Sequence, residues 1–228
     1  MKYLVIDLEM CKVPKHYRNP NYKYANEIIQ VGAVLLDENY KSIGTISQYV
    51  HPKFGVIDHF ISNLTGINNR NVKNAPLIGK VLKDMITWLS DREYKVIAWS
   101  KNDLSQLEHE IKSKNIDDPE IAEFMNPARW IDYQNIFAKR YEFSRPVGLE
   151  EALMLCDLNP DGRFHDGLCD ALNTAKLIKK LKLNLEFQIQ SYEKEKMISA
   201  EPLSFNLGDY IKSFRNSNNL SQITNDAV

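Results

Sequence analysis

Residues 3–9 read YLVIDLE, a short run of aliphatic, β-branched and aromatic side chains that ends in two carboxylates. An apolar run of this length with polar flanks makes a buried strand, so Tyr3–Leu8 is expected as a strand covered on both faces. Asp7 and Glu9 stand two residues apart. Strand alternation places them on one face, about 7 Å from each other, where they repel unless something cationic lies between them. Two readings stay open for the pair: acids solvated where a strand has ended, or acids that hold a positive group. The triplet form alone decides nothing, because Asp91-Arg92-Glu93 and Asp118-Pro119-Glu120 share it.

Outward from that strand the chain changes period. Lys12–Asn26 contains two prolines and no apolar rhythm, so it is expected as a loop. Within it, Lys12, Lys15, Tyr17, Arg18, Tyr22, Lys23 and Tyr24 interleave charge with aromatic rings. That pattern suits a grip on phosphates and bases as well as an ordinary solvated loop. Glu27–Leu36 (EIIQVGAVLL) and Ser42–His51 read as two further strands, the last stopped by Pro52, and three strands in succession suggest an antiparallel meander. Ile61–Asn71 shows little periodicity and is expected as a loop.

Helical spacing then takes over. Leu77, Ile78, Val81, Leu82, Met85, Ile86 and Leu89 form one apolar stripe after Pro76. Tyr94–Trp99 reads as a fourth strand, Asp103–Lys114 as a helix and Trp130–Asp132 as a fifth strand. Helices ending near Tyr141, over Gly148–Cys156 and over Leu168–Leu181 complete the series, with Trp99 and Trp130 in the core. Strands first, then strands alternating with helices, predict one α/β domain, a mixed five-stranded sheet flanked by helices, over residues 1–183. Residues 184–228, rich in Asn and Ser, are expected as a C-terminal arm that is partly disordered.

Composition narrows the class. The chain has 228 residues, 43% hydrophobic and 26% charged, which excludes global disorder and suffices for a core without disulfides. Cys11, Cys156 and Cys169 are too few and too scattered for a disulfide scaffold or a zinc ribbon. No apolar run approaches a membrane span, and Met1-Lys2 leads straight into the first strand. The expectation is a reduced, cytoplasmic protein with no membrane partner. A net charge of −1 argues against a polycation that coats nucleic acid, but not against an enzyme that meets phosphates through bound metal.

Two more acidic signals follow later strands. Asp103 sits where a helix begins, a position that also suits a simple first-turn acid. His165 is the one histidine of five with an aspartate five positions on, in His165-Asp166-Gly167-Leu168-Cys169-Asp170. Taken together, strand-end acids, an Asp after a later strand and His-x4-Asp opening the last helix run in the order Asp-Glu, Asp, His, Asp.

In that order the sequence resembles the DEDDh branch of the DnaQ-like 3′→5′ exonucleases. Glu27-Ile28-Ile29-Gln30-Val31-Gly32-Ala33 is similar to the family's second strand, and Leu64-Thr65-Gly66-Ile67 to its terminal-nucleotide loop. Asp7-Leu8-Glu9-Met10-Cys11 and Asp161-Gly162-Arg163-Phe164-His165 resemble most the RNA-trimming group of enhancer-of-RNAi and KapD-like type, although residues 10 and 11 depart from the usual small or Thr residues. The resemblance spans about residues 3–183 and implies an RNase H-like fold acting on 3′ ends of RNA or short single strands. It implies two Mg²⁺ or Mn²⁺ ions held by Asp7, Glu9, Asp103 and Asp170, with Asp7 bridging both and Asp103 acting largely through water. His165 becomes the general base, and Leu8, Met10, Leu64, Thr65 and Arg163 the contacts to substrate. The competing readings are an exonuclease-like binding module without turnover and an endonuclease on a related fold.

Overall fold

β1 (Lys2–Lys12) runs four residues beyond Leu8, because Met10 and Cys11 keep the alternation of the strand. Leu4, Ile6 and Leu8 are buried on one face, where Met10 packs against the same cluster, while Cys11 belongs to a second cluster on the other. Burying each of those three aliphatic side chains contributes about 1.5–3 kcal/mol, so the strand's placement is strongly determined. Asp7 and Glu9 share the face of Cys11. In this computed structural model residues 1–18, 25–90 and 93–189 are described.

β1 is the centre of a five-stranded sheet of order β3-β2-β1-β4-β5. β2 (Asn26–Leu36) and β3 (Ser42–Tyr49) form the expected antiparallel meander with it, whereas β4 (Tyr94–Ala98) and β5 (Trp130–Asp132) add in parallel. The sheet is therefore mixed. One irregularity matters: the β1–β2 register shifts between Glu9 and Met10, opposite Gln30 and Ile28. A bulge there increases the local twist beside the acids.

α1 (His59–Thr65) and α2 (Asn69–Val72) occupy the stretch expected as loop. The Asp58 side chain accepts from Ile61 N–H and starts α1, and Gly66, at φ 75°, ends it. Only Ile61 and Thr65 of α1 are buried, so seven residues present no apolar stripe to read. α3 (Ile78–Leu89), Leu107 of α4 (Asn102–Ser113) and α5 (Pro119–Phe124) cover the face of Leu4, Ile6 and Leu8. α6 (Tyr133–Arg140) and α7 (Leu149–Leu155) lead to α8 (Gly167–Leu183), which lies on β1 and β2.

The first turn of α8 reaches β2 so closely that a Cβ on Gly32 would strike the backbone of Gly167. Glycine at position 32 is what permits that approach; a Cβ on Gly167 would be merely tight, 3.1 Å from the Asp7 carbonyl oxygen. After α8, the Arg140 guanidinium donates to the carbonyls of Leu181, Asn184 and Leu185, and Tyr141 OH donates to the Phe187 carbonyl. Residues 190–228, which include most of the expected arm, lie outside the described residues, as do Tyr22, Lys23 and Tyr24. Among the described residues no helix is long and apolar enough to cross a membrane.

Candidate active site

Three elements bring four carboxylates and one imidazole together. Asp7 and Glu9 come from β1, Asp103 from the first turn of α4 and Asp170 from the first turn of α8. The Oδ1 of Asp103 accepts from Leu8 N–H at 3.2 Å, which ties α4 to the strand between the two β1 acids. Asp166 caps α8 by accepting from Leu168 and Cys169 N–H, both at 3.1 Å. His165, just before that cap, adopts φ 60°, a left-handed backbone that only its surroundings hold in place. Its own N–H donates to Oδ2 of Asp170 at 2.9 Å. One ligand atom from each of Glu9, His165 and Asp170 lies within 4.8 Å of the others.

The electrostatics of this group are unfavourable without a partner. Burial, then repulsion from Asp103, Glu9, Asp170 and Asp166, raises the Asp7 carboxyl well above the ordinary carboxylate range. Burial and its acidic neighbours push Glu9 up to about 8, with Arg163 opposing. Burial raises Asp103 to about 7 against the N–H groups of Asp103 and Leu8, and Asp170 to about 6 against the N–H of His165. His165 is shifted the other way: desolvation lowers it, Arg163 adds to the shift, and Glu150 resists. None of the four carboxylates forms an ion pair among the described residues, and the buried Oδ1 of Asp170 has no hydrogen-bond partner. Buried charges persist only when paired or bound to metal. Four hard oxygen donors, one orphaned atom and no thiolate fit a divalent cation of the Mg²⁺ or Mn²⁺ kind.

The expected substrate contacts divide. Leu64, half-buried, ends α1 beside Arg163, whose guanidinium donates to the carbonyls of Asn63 and Leu64. Arg163 thus ties the His165 loop to α1. Thr65 is buried, its hydroxyl donating to the Ile61 carbonyl and accepting from Ile67 N–H, so it shapes the end of the helix. Leu8 packs into the core and its N–H is taken by Asp103; Met10 is half-buried against the same core.

One positioning residue stands outside the sequence reading. The Oε1 of Gln30 accepts from Gly167 N–H at 3.0 Å, and its Nε2 donates to Asp166 at 3.3 Å and to Ser47 at 3.1 Å. It clamps the start of α8 to β2. The signal lay in EIIQVGA, where a polar residue interrupts a buried strand, but its target could not be read from the strand itself.

The sheet order and the five residues define a class. The sequence profile of the RNase T-type exonuclease family matches residues 4–178, and the chain belongs to that family. Among its relatives, mouse 3′-5′ exoribonuclease 1 is 27% identical over 193 residues, covering 80% of this chain and 53% of the relative. Human ERI1 exoribonuclease 2 is 30% identical over 202 residues, covering 78% of this chain and 28% of the relative. The matches thus span about half or less of these relatives' length. A full-length 3′-exonuclease crystal structure superposes with TM-score 0.67 at 25% identity, over 82% of this chain and 62% of that one. The nuclease domain of 3′hExo bound to rAMP, a DEDDh member, gives TM-score 0.67 at 24% identity, over 83% of this chain and 96% of that one. These structures share the RNase H-like fold expected from the resemblance.

Proposed function

We propose that this chain is a metal-dependent 3′→5′ exonuclease that releases nucleoside 5′-monophosphates from the 3′ end of RNA or a short single strand. The observation that carries the reading is the convergence of Glu9, His165 and Asp170, the last with a buried carboxylate oxygen left without a hydrogen-bond partner, with Asp7 and Asp103 alongside. In it, Asp7, Glu9, Asp103 and Asp170 would hold two Mg²⁺ or Mn²⁺ ions, with Asp7 serving both. When bound, such ions lower the pKa of water and stabilise the leaving alkoxide.

His165 accepts the proton of the attacking water at a ring nitrogen. Its lowered pKa keeps the ring neutral and able to do so at neutral pH. The water oxygen bonds to the phosphorus of the last phosphodiester, and the bond from that phosphorus to the neighbouring 3′ oxygen breaks. The 3′ oxygen takes a proton from solvent to leave a 3′ hydroxyl on the shortened strand, while His165 later returns its proton to solvent. Leu64 and Met10 offer apolar surface to the last nucleotide, Leu8 and Thr65 shape that surface from beneath, and Arg163 positions α1 for it.

A preference for RNA rests on relatives named exoribonucleases and on the likeness of residues 7–11 and 161–165 to the RNA-trimming group. The catalytic unit is residues 1–183. The free thiols Cys11, Cys156 and Cys169 suit a reducing cytoplasm.

Product analysis on a 5′-labelled strand tests the proposal. It predicts a ladder shortening from the 3′ end with mononucleotide release, faster on RNA than on matched DNA at one salt concentration. Internal cuts would assign an endonuclease; no cleavage with intact binding would assign a silent module.

A further inference from the structure

Residues 12–18 and 53–55 carry Lys12, Lys15, Arg18 and Lys53 and no acid. Two rings stand out there in solvent, Tyr17 at 53% and Phe54 at 37% exposure. Their centroids are 5.9 Å apart at 29°, a stacked pair, and Lys53 Nζ lies 5.2 Å from the centre of the Phe54 ring. Large exposed rings in one patch mark a contact surface rather than a failed core.

The patch is held firmly. Glu27, fully buried, accepts from Lys53 N–H at 3.1 Å, from Phe54 N–H at 2.6 Å and from Gly55 N–H. A Cβ on Gly55 would strike Cys11 and crowd Glu27, so the turn that presents Phe54 requires glycine. On the other side, the Arg18 Nε–H donates to the Val13 carbonyl at 2.9 Å, bracing the short turn that presents Tyr17. Val56 N–H donates to the Lys12 carbonyl, joining both turns to the end of β1.

β1 also connects the patch to the acids. Cys11, against which Gly55 packs, lies two residues past Glu9 on the same face, about 7 Å along the strand. We propose that the stacked Tyr17–Phe54 pair, with Lys53 beside it, is a platform for unpaired bases upstream of the nucleotide being removed. The occupant is a single strand, because aromatic faces stack on any exposed base while the surrounding lysines meet the backbone phosphates. A duplex hides the faces of its bases and gains only the charge. The inference rests on the exonuclease reading and adds to it a second, sequence-tolerant grip.

Fluorescence anisotropy of a labelled single-stranded RNA of about twelve nucleotides, measured in EDTA so that turnover does not intervene, tests it. Replacing both Tyr17→Ala and Phe54→Ala should weaken binding about tenfold, while the pair Tyr17→Phe and Phe54→Tyr keeps it. Lys53→Gln should flatten the dependence of log affinity on log salt by about one unit. Blunt duplex of the same length should bind the double alanine variant and the wild type alike. Equal single-strand affinity in wild type and double variant, including equally undetectable binding, overturns the platform. A self-association that the double variant loses, with RNA binding unchanged, also overturns it and assigns the face to a second copy. A wild type that cleaves no strand but shows the contrast leaves the platform standing without the exonuclease; cleavage without the contrast removes the platform alone.

Discussion

α4 carries a buried acid into each of two clusters, and the clusters solve the same electrostatic problem in opposite ways. At its C-terminal half, Glu110 and Glu27 bracket Lys114, whose Nζ lies 2.7 Å from one and 2.8 Å from the other. Glu110 also accepts from Ile28 N–H at 2.9 Å, where the β1–β2 register shifts. Burial works to raise both acids. At Glu27, Lys114 and the N–H groups of Phe54 and Gly55 outweigh it and hold the carboxyl below its ordinary value, while at Glu110 burial prevails over Lys114 and the carboxyl stays raised. At the N-terminal end, Asp103 joins Asp7, Glu9 and Asp170, and none of the four forms an ion pair among the described residues. All four are pushed upward. At Glu110 and Glu27 the fold brings Lys114 as the countercharge; at the four acids of the other cluster none of the described residues does so.

The largest break in that contrast should come from Asp7→Asn. It removes the carboxylate proposed to serve both ions, so turnover should fall about 10³-fold or more. Metal-free stability should rise at the same time, since an amide relieves the mutual repulsion. A stopped assay paired with thermal unfolding in EDTA reads both, and wild-type turnover would refute the assignment. Next in size, His165→Ala should lower turnover by about 10²–10⁴-fold while divalent-ion affinity holds. A loss of that affinity instead would make His165 a ligand.

Lys114→Met strips the structural cluster of its cation and should cost about 3–5 kcal/mol, measured by urea unfolding. The opposite signs of Asp7→Asn and Lys114→Met on metal-free stability are the sharpest form of the comparison. The last effect concerns pH. Glu9 titrates at about 8 in the folded protein against an ordinary 4.5, so between these values the folded state holds protons that the unfolded chain has released. Metal-free stability should therefore fall as pH rises through that window, and saturating Mg²⁺ should flatten the slope. Unfolding midpoints at both ends of the window, with EDTA and with Mg²⁺, measure it; an upward slope in EDTA would contradict the burial argument.

Much of the architecture was legible in the sequence because it rests on local pattern. Ile78–Leu89 and Gly167–Leu183 announce themselves by spacing, and the strands by apolar runs between turns. α1 and α5 were not legible: seven and six residues are under two turns, too short for periodicity to register. The end of β1 was set too early because Glu9 looked like a terminus, whereas tertiary cover on Met10 and Cys11 carries the strand on to Lys12. The five acidic and imidazole residues could be found as an ordered set. What that set could not show was the machinery that brings it together. The Gly32–Gly167 approach, the Gln30 clamp and the Arg163 bridge to α1 each join residues about a hundred or more apart, and nothing in either partner's local sequence names the other.

The central claim is that the unpaired acid cluster works by taking up divalent cations. Its most direct test is turnover of 5′-labelled single-stranded RNA in Mg²⁺, after exhaustive chelation, and after Mg²⁺ or Mn²⁺ is restored. The account predicts stepwise shortening from the 3′ end, its disappearance in EDTA and its return with the metal; undiminished cleavage after chelation would contradict it.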